Sequence, residues 1–323
     1  MKLHGPIFIF GAGGFIGVNL LNSILKYRKD VYGISQDPVN NWRFIATHVP
    51  KANLVPCDIR EKTQLDLILT KYNPKTIFNL AAYGAYSKQN EYEKIYNTNF
   101  NATLGLVESL KKVGFDSYVQ AGSSSEYGIN CSAPLEDDSL IPNSHYAVSK
   151  VAMSFAAKYY GSIEKLPVAH LRLYSAYGPW EEPDRLIPRL LSMSRKGKYP
   201  PLVNPLISRD FIYVNDISVA FIRVAGQIKH VKGDVFNIGT GQKTSIKQLT
   251  RIVRDICKID TVPNFGTMKN RKWDVTDWYS NVEKASKVLK WKPLLGLKEG
   301  IRLTLDWQRS VGYDEAFWNW TKK

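Results

Sequence analysis

The sequence predicts an α/β protein. It should form a doubly wound parallel sheet with helices on both faces, followed by a smaller C-terminal lobe of mixed α/β structure. Three observations predict this. Short apolar, β-branched runs alternate with helical segments as far as Leu173, which is the pattern of a parallel sheet with crossover helices. A glycine-rich turn lies between the first strand and the first helix. After Leu173 the texture changes, with Pro179, Pro183, Pro188, Pro200, Pro201 and Pro205 in a short span.

Pro6-Ile-Phe-Ile-Phe10 is an apolar run long enough for one buried strand. Gly11-Ala-Gly-Gly-Phe-Ile-Gly17 follows, and then Val18 to Lys26 with helical periodicity. Strand, glycine turn and helix in that order are the context of a dinucleotide site. Glycines allow a tight turn and a close approach of backbone to a pyrophosphate, and the helix N-terminus supplies unpaired N–H groups and positive dipole. Gly11, Gly14 and Gly17 give the spacing G-x-x-G-x-x-G, with Gly13, Phe15 and Ile16 in the same turn. This is a Rossmann-type opening unit.

Further strands are expected at Val31–Ser35, Asn53–Pro56, Thr76–Leu80, Ser117–Ala121 and Pro167–Leu173, and helices at Thr63–Tyr72, Glu91–Lys112 and His145–Tyr160. Ser245-Ile-Lys-Gln248 and Ser280-Asn-Val-Glu283 have the form of capping boxes opening two later helices. Residues 1–173 then form the dinucleotide-binding domain and 174–323 a substrate-binding lobe. Elements near 206–240 are interwoven with the sheet, and no clean linker separates the two.

The bulk properties fit an enzyme. The hydrophobic content is 44% over 323 residues, enough for a core. No apolar run is long enough to span a bilayer, and no charged-then-apolar leader precedes the first strand. Cys57, Cys131 and Cys257 are odd in number and lack metal-ligand spacing, so no metal is expected and the setting is a reducing, cytoplasmic one. The net charge of +15 is spread along the chain without a tail or stripe. This argues for a lysine-rich surface and an anionic small ligand rather than a nucleic-acid or membrane partner.

Tyr146 and Lys150 lie four residues apart in a predicted helix, so both emerge on one face. A cation beside a phenol favours the phenolate, which can then exchange a proton with a substrate hydroxyl or carbonyl. The alternative for this pair alone is a half-buried aromatic beside a solvated lysine.

These features resemble one family, and further motifs in order extend the resemblance over almost the whole chain. They are Cys57-Asp-Ile59, Asn79-Leu-Ala-Ala82, Asn97-Thr-Asn99, Gly122-Ser-Ser-Ser-Glu-Tyr-Gly128, Arg172-Leu-Tyr-Ser-Ala-Tyr-Gly-Pro179, Arg209-Asp-Phe-Ile-Tyr-Val214 and Asn237-Ile-Gly-Thr-Gly241. The chain resembles the extended short-chain dehydrogenases/reductases, the NAD-dependent epimerases, dehydratases and reductases of nucleotide sugars. By that resemblance Ser123, with Ser124 as its competitor, hydrogen-bonds the sugar C4 oxygen while Tyr146 moves the proton. Lys150 holds the nicotinamide ribose and lowers the tyrosine pKa, and Asn99 supports the site. Asp58 meets the adenine, its alternative being a helix N-cap, and Ile59, Leu80, Ala81 and Ala82 line the cofactor.

The resemblance also sets what to expect of cofactor and substrate. The acidic residue that ends the second strand in NAD-binding members is Ser35 here. Arg43 is near enough in sequence to reach a 2′-phosphate from the following loop, which tilts the expectation from NAD modestly toward NADP, while Asp37, two residues past Ser35, reaches the ribose if the strand is longer. The glutamate that dehydratases carry before the Tyr-Gly pair is Ser125 here, a residue then left to contact substrate. Glu126, one position on, would face away in an extended segment. A 4-ketoreductase or 4-dehydrogenase of a nucleotide-diphosphate hexose is the leading expectation. A 4-epimerase with tightly bound NAD, a 4,6-dehydratase and a non-catalytic dinucleotide-binding protein are the alternatives. Arg209 and Arg271 would bind the diphosphate, with Ser175 in place of the family's substrate-contacting asparagine. A homodimer through the helices at Asn97–Lys112 and His145–Tyr160, or a higher homo-oligomer, is implied.

Overall fold

The alternation of strands and helices builds a sheet buried on both faces. The computed structural model describes residues 3–86, 89–269 and 275–313. Strand β1 (Ile7–Phe10) is buried at every position, which explains an apolar run without polar alternation. The first half of the chain continues through α1 (Phe15–Leu25), β2 (Val31–Ser35), α2 (Trp42–Thr47), β3 (Leu54–Pro56), α3 (Lys62–Tyr72), β4 (Thr76–Asn79), α4 (Tyr92–Tyr96), α5 (Ala102–Val113), β5 (Ser117–Ser123), α6 (His145–Lys158) and β6 (Val168–Leu173). There follow β7 (Ser175–Tyr177), α7 (Leu186–Ser194), β8 (Ser208–Arg209), β9 (Phe211–Tyr213), α8 (Val214–Gln227), β10 (Val235–Ile238), β11 (Thr244–Ser245), α9 (Ile246–Cys257), α10 (Glu283–Leu289) and α11 (Leu297–Ser310).

The main sheet has seven parallel strands in the order β10-β6-β5-β4-β1-β2-β3. The order reverses between β1 and β4, which opens a crevice at the carboxyl ends of the strands. On one face α1 and α8 bury Val18, Leu21, Ile217, Phe221 and Val224. On the other, α3, α5 and α6 bury Leu65, Leu69, Leu106, Leu110 and Ala157. Helix α8 and strand β10, in the 206–240 stretch expected to interweave with the sheet, were not delimited individually from the sequence; β10 forms an edge of the sheet and α8 packs on its face. That half also has its own small core, in which Tyr177 and Phe211 meet Leu190, Leu249, Val253 and Ile301.

The joint between lobe and sheet is Asp210, fully buried between β8 and β9. Its carboxylate accepts from Thr240 N at 2.8 Å, Gly241 N at 3.0 Å and Ser280 N at 3.1 Å. This corrects the expectation at Ser280. Its hydroxyl donates to Asp210 instead of capping a helix, and α10 begins at Glu283 behind Val282, with no side-chain cap. The Ser245–Gln248 capping box does form, in both directions.

The helix expected over Glu91–Lys112 is continuous but not uniform: a π turn at Asn97–Asn101 separates α4 from α5. A second π turn, Tyr159–Ile163, ends α6. Such turns are frequent at functional sites. Among the described residues no helix is long and apolar enough to cross a membrane.

Candidate active site

The glycine turn lies at the crevice, where β1 delivers the chain to α1. Gly11 has φ +72° and packs so closely that a Cβ would stand 2.6 Å from Ala81 N. A Cβ on Gly17 would stand 2.3 Å from the Gly11 carbonyl, whereas at Gly14 the nearest atom would be 3.2 Å away. Gly14 is the N-cap of α1, and the first helical turn carries no acidic side chain. The positive helix end is therefore uncompensated. Gly11, Gly14, Phe15, Ile16, Gly17, Leu80 and Ala82 line one part of the cleft. Gly13, Ser35, Ile59, Ala81 and Arg60 line the adjoining part, beyond β2 and β3. These residues fit a dinucleotide: a close backbone cradle, a helix N-terminus and apolar walls.

At the β2 end, Arg43, Asp58 and Asp37 are each engaged within the protein. Arg43 does not reach toward a 2′-phosphate. It is buried, donating to Trp180 O at 2.8 Å, Gly13 O at 3.2 Å and Glu182 Oε1 at 2.8 Å. Asn41 caps α2 there, and that short helix turns Arg43 inward. Asp58 does not line the cleft and is not a helix N-cap. It pairs with Arg60 at 2.6 Å and accepts its backbone N–H at 2.9 Å, which holds the carboxyl below its usual range. Helix α3 is preceded instead by Glu61. Asp37 accepts from Asn40 N and Nδ2, on the surface.

The chemical groups converge farther along the cleft. Helix α6, capped by Ser144 through Ala147 N, presents Tyr146 and Lys150 to the end of β5. Tyr146 faces Ser123, which eases ionisation of the phenol. Lys150, 2% exposed, donates to Ala121 O at 3.0 Å. The Lys150 Nζ lies 5.7 Å from the Tyr146 ring, so the expectation that it lowers the phenol pKa is not met. Burial dominates instead and pushes the phenol up to about 12, with Ser123 offsetting only part. Burial also pulls the Lys150 ammonium down to about 8, against the opposing field of Glu126.

Asn99 is buried in the first π turn. It accepts from Tyr83 N at 2.8 Å, and donates to Tyr83 O at 2.8 Å and to Ser149 Oγ at 2.9 Å. It thus fixes the loop after β4 against α6, and it does not line the cleft. Ser123, Ser124 and Ser125 all line it. Ser123 Oγ also accepts from Ser125 N, and Ser124 Oγ accepts from the Trp278 indole at 3.0 Å.

The serine run is a 3-10 turn over Ser124–Tyr127, not the extended segment expected. The turn carries Glu126 into the core. It accepts from Ser123 N at 2.8 Å and meets His170 Nε2 at 2.9 Å and Arg172 Nε at 2.7 Å. Burial alone would raise this carboxyl, but His170 and Arg172 reverse the effect and hold it at about 2.

Beyond Tyr146 the cleft joins a second cavity, and Ser175, Ala176, Glu181, Arg185 and Arg209 line both. The Arg209 guanidinium stacks 4.7 Å from the Trp278 ring and donates to Ser208 O. Ser175 N donates to Asp210 O. Arg271 lies outside the described residues. Glu181, Arg185 and Trp278 were not singled out from the sequence, since none belongs to a local motif. Among the described residues no cluster of metal-ligating side chains occurs.

Sheet order, glycine cradle and tyrosine–lysine pair together are those of a dinucleotide-binding enzyme of the short-chain dehydrogenase/reductase type. Comparison with known proteins agrees. The sequence profile of the NAD dependent epimerase/dehydratase family matches residues 7–239. A UDP-glucose 4-epimerase of Mycolicibacterium smegmatis is 28% identical over 320 residues, covering 94% of this chain and 98% of its own. A UDP-glucuronate 4-epimerase of Thermodesulfobacterium geofontis is 27% identical over 321 residues, covering 94% and 96%. The solved structure of MoeE5 in complex with UDP-glucose and NAD superposes with a TM-score of 0.82 at 27% identity, covering 95% of this chain and 99% of that one. The chain belongs to the NAD-dependent epimerase/dehydratase family, as an enzyme of the extended short-chain dehydrogenase/reductase type.

Proposed function

We propose that this enzyme acts at C4 of a nucleotide-diphosphate hexose, and that its net reaction is 4-epimerisation with NAD retained in the cleft. The observation that carries the reading is the gathering of Ser123, Tyr146 and Lys150 on one wall of a cleft that is floored by the glycine turn and continuous with the Arg209 cavity. NAD, when bound, supplies the hydride chemistry at C4. Tyr146 moves the proton of the C4 hydroxyl, Ser123 orients that oxygen, and Lys150 holds the ribose. Arg209 binds diphosphate oxygens. Asn99 positions the loop after β4. Names of full-length relatives favour epimerisation, and the inward turn of Arg43 removes one argument for NADP.

Dehydration is disfavoured because Ser125 offers no carboxyl and Glu126 is held in the core. A 4-ketoreductase using NADPH is the second reading. It is favoured by Ser35, which leaves no carboxylate at the end of β2, and by Arg60 on the cleft wall. Mass spectrometry of the nucleotide released by denaturing freshly purified protein separates the two. NAD near one per subunit supports epimerisation, and an empty site that titrates with NADPH supports the reductase.

We also propose a homodimer through α5 and α6, where Phe155 on α6 and Ile163 in the π turn that follows it are exposed. Sedimentation of the wild type and of Phe155→Asp tests it: a dimer that dissociates on substitution supports it, and a wild-type monomer overturns it.

A further inference from the structure

Glu181 lies in the loop Gly178-Pro-Trp-Glu-Glu-Pro-Asp-Arg185 between β7 and α7. Its side chain is only 7% exposed. It nevertheless lines both the cleft of Tyr146 and the cavity of Arg209. Its Oε2 is buried with no hydrogen-bond partner in the protein. Its Oε1 faces Arg185 Nε at 3.6 Å, beyond hydrogen-bond distance. A buried polar atom without a partner requires an explanation, and beside an open cavity a ligand can supply the partner.

The groups around Glu181 define what that ligand presents. Burial pushes the carboxyl up to about 8, with Glu182 acting in the same direction, against the pull of Arg185 and Arg43 on its proton. Arg43 is already paired with Glu182, and Arg185 leans on Glu181 itself. Tyr86, Tyr146, Lys150, Tyr174 and Arg209 are the other titratable and charged groups on the cleft wall, and Asp184 and Arg189 join the wall of the adjoining cavity. An ionised Glu181 offers an acceptor oxygen, which suits a hydroxyl or an ammonium. A second carboxylate in the same site would repel it unless the two shared a proton.

We infer that Glu181 is a substrate-contacting residue that selects a hydroxyl or amino substituent on the hexose and rejects a uronic-acid carboxylate. This rests on the nucleotide-sugar reading above and names the substrate class within it.

The test is calorimetric titration of the full chain, saturated with NAD, with two matched pairs of sugars: UDP-glucose against UDP-glucuronic acid, and GDP-mannose against GDP-mannuronic acid. The wild type is expected to favour the neutral sugar by at least about tenfold at pH 9. That preference should shrink toward pH 7, as Glu181 gains a proton it can share. Lys150 loses its charge over the same range and disfavours the uronate in the same sense, so the trend assigned to Glu181 is the difference between wild type and Glu181→Gln. Glu181→Gln should make the pH trend shallower than in wild type and bring the pair within about threefold at pH 7, while Glu181→Asp keeps the preference. A wild type that binds the uronate as well as the neutral sugar at pH 9 overturns the inference. So does a Glu181→Gln variant that folds and keeps the wild-type ratio. Binding of NAD but of none of the four sugars overturns the nucleotide-sugar reading itself.

Discussion

Tyr146, Ser123 and Lys150 are the residues on which the proposed chemistry turns, and their geometry assigns distinct effects to each. Removing the phenol hydroxyl leaves the cradle untouched. Tyr146→Phe should therefore lower turnover by roughly 10²–10⁴-fold, with cofactor affinity within about twofold of wild type, as measured by steady-state assay and fluorescence titration. Lys150 is held at about 8, so in the ligand-free enzyme it is cationic below pH 8 and neutral above. Cofactor affinity should accordingly weaken as pH rises from 7 to 9, and a flat profile would count against its role at the ribose. These residues were legible because each belongs to a short local pattern. Arg43 and Glu181 were not. Arg43 is fixed by Trp180 and Glu182, and Glu181 by a cavity wall that also includes Tyr146 and Arg209. No local spacing encodes partners so far apart in the chain.

At the scale of elements, the glycine turn makes a graded claim. Gly17→Ala drives a methyl to 2.3 Å from a backbone carbonyl, while Gly14→Ala meets one only at 3.2 Å. Gly17→Ala should cost about 1–3 kcal/mol in urea unfolding and abolish NAD binding. Gly14→Ala should cost less than about 1 kcal/mol and keep binding, and equal losses at the two positions would refute the packing argument. The strands were legible because burial on both faces leaves continuous apolar runs. The π turns at Asn97–Asn101 and Tyr159–Ile163 were not, since each is one extra residue per turn inside a helix whose periodicity barely changes. The two capping-box patterns show the same boundary. Ser245 closes its box, while Ser280 is claimed by Asp210, distant in sequence.

Across the whole molecule, the group most exposed to a change of conditions is the buried Glu126–His170–Arg172 cluster. Glu126 is held at about 2, below the ordinary glutamate value of 4.5. The unfolded state therefore binds its proton first as pH falls. The stability this carboxylate contributes is complete above about pH 4.5 and is lost as pH drops toward 2. Glu126→Gln should accordingly be less stable than wild type at pH 7, and the gap should narrow below pH 4, read from urea midpoints across that range. A constant gap would show that the ionisation of Glu126 is not what stabilises the fold. The overall architecture was legible from the order of its motifs. Elements near 206–240 were expected to interweave with the sheet, but they were not resolved as helix α8 and strand β10, because they follow a stretch whose prolines point to a separate lobe.

Asp210 has a consequence for how such chains can be recombined. Its carboxylate ties Thr240, Gly241 and Ser280 to the turn between β8 and β9, while β10 and α8 belong to the main sheet. A graft that exchanged everything after Leu173 for the equivalent part of a relative would also replace an edge strand of the host sheet and the helix packed against α1. Altered sugar preference is better sought by transplanting the loop between β7 and α7 alone, which carries Glu181 and Arg185 and leaves this knot closed.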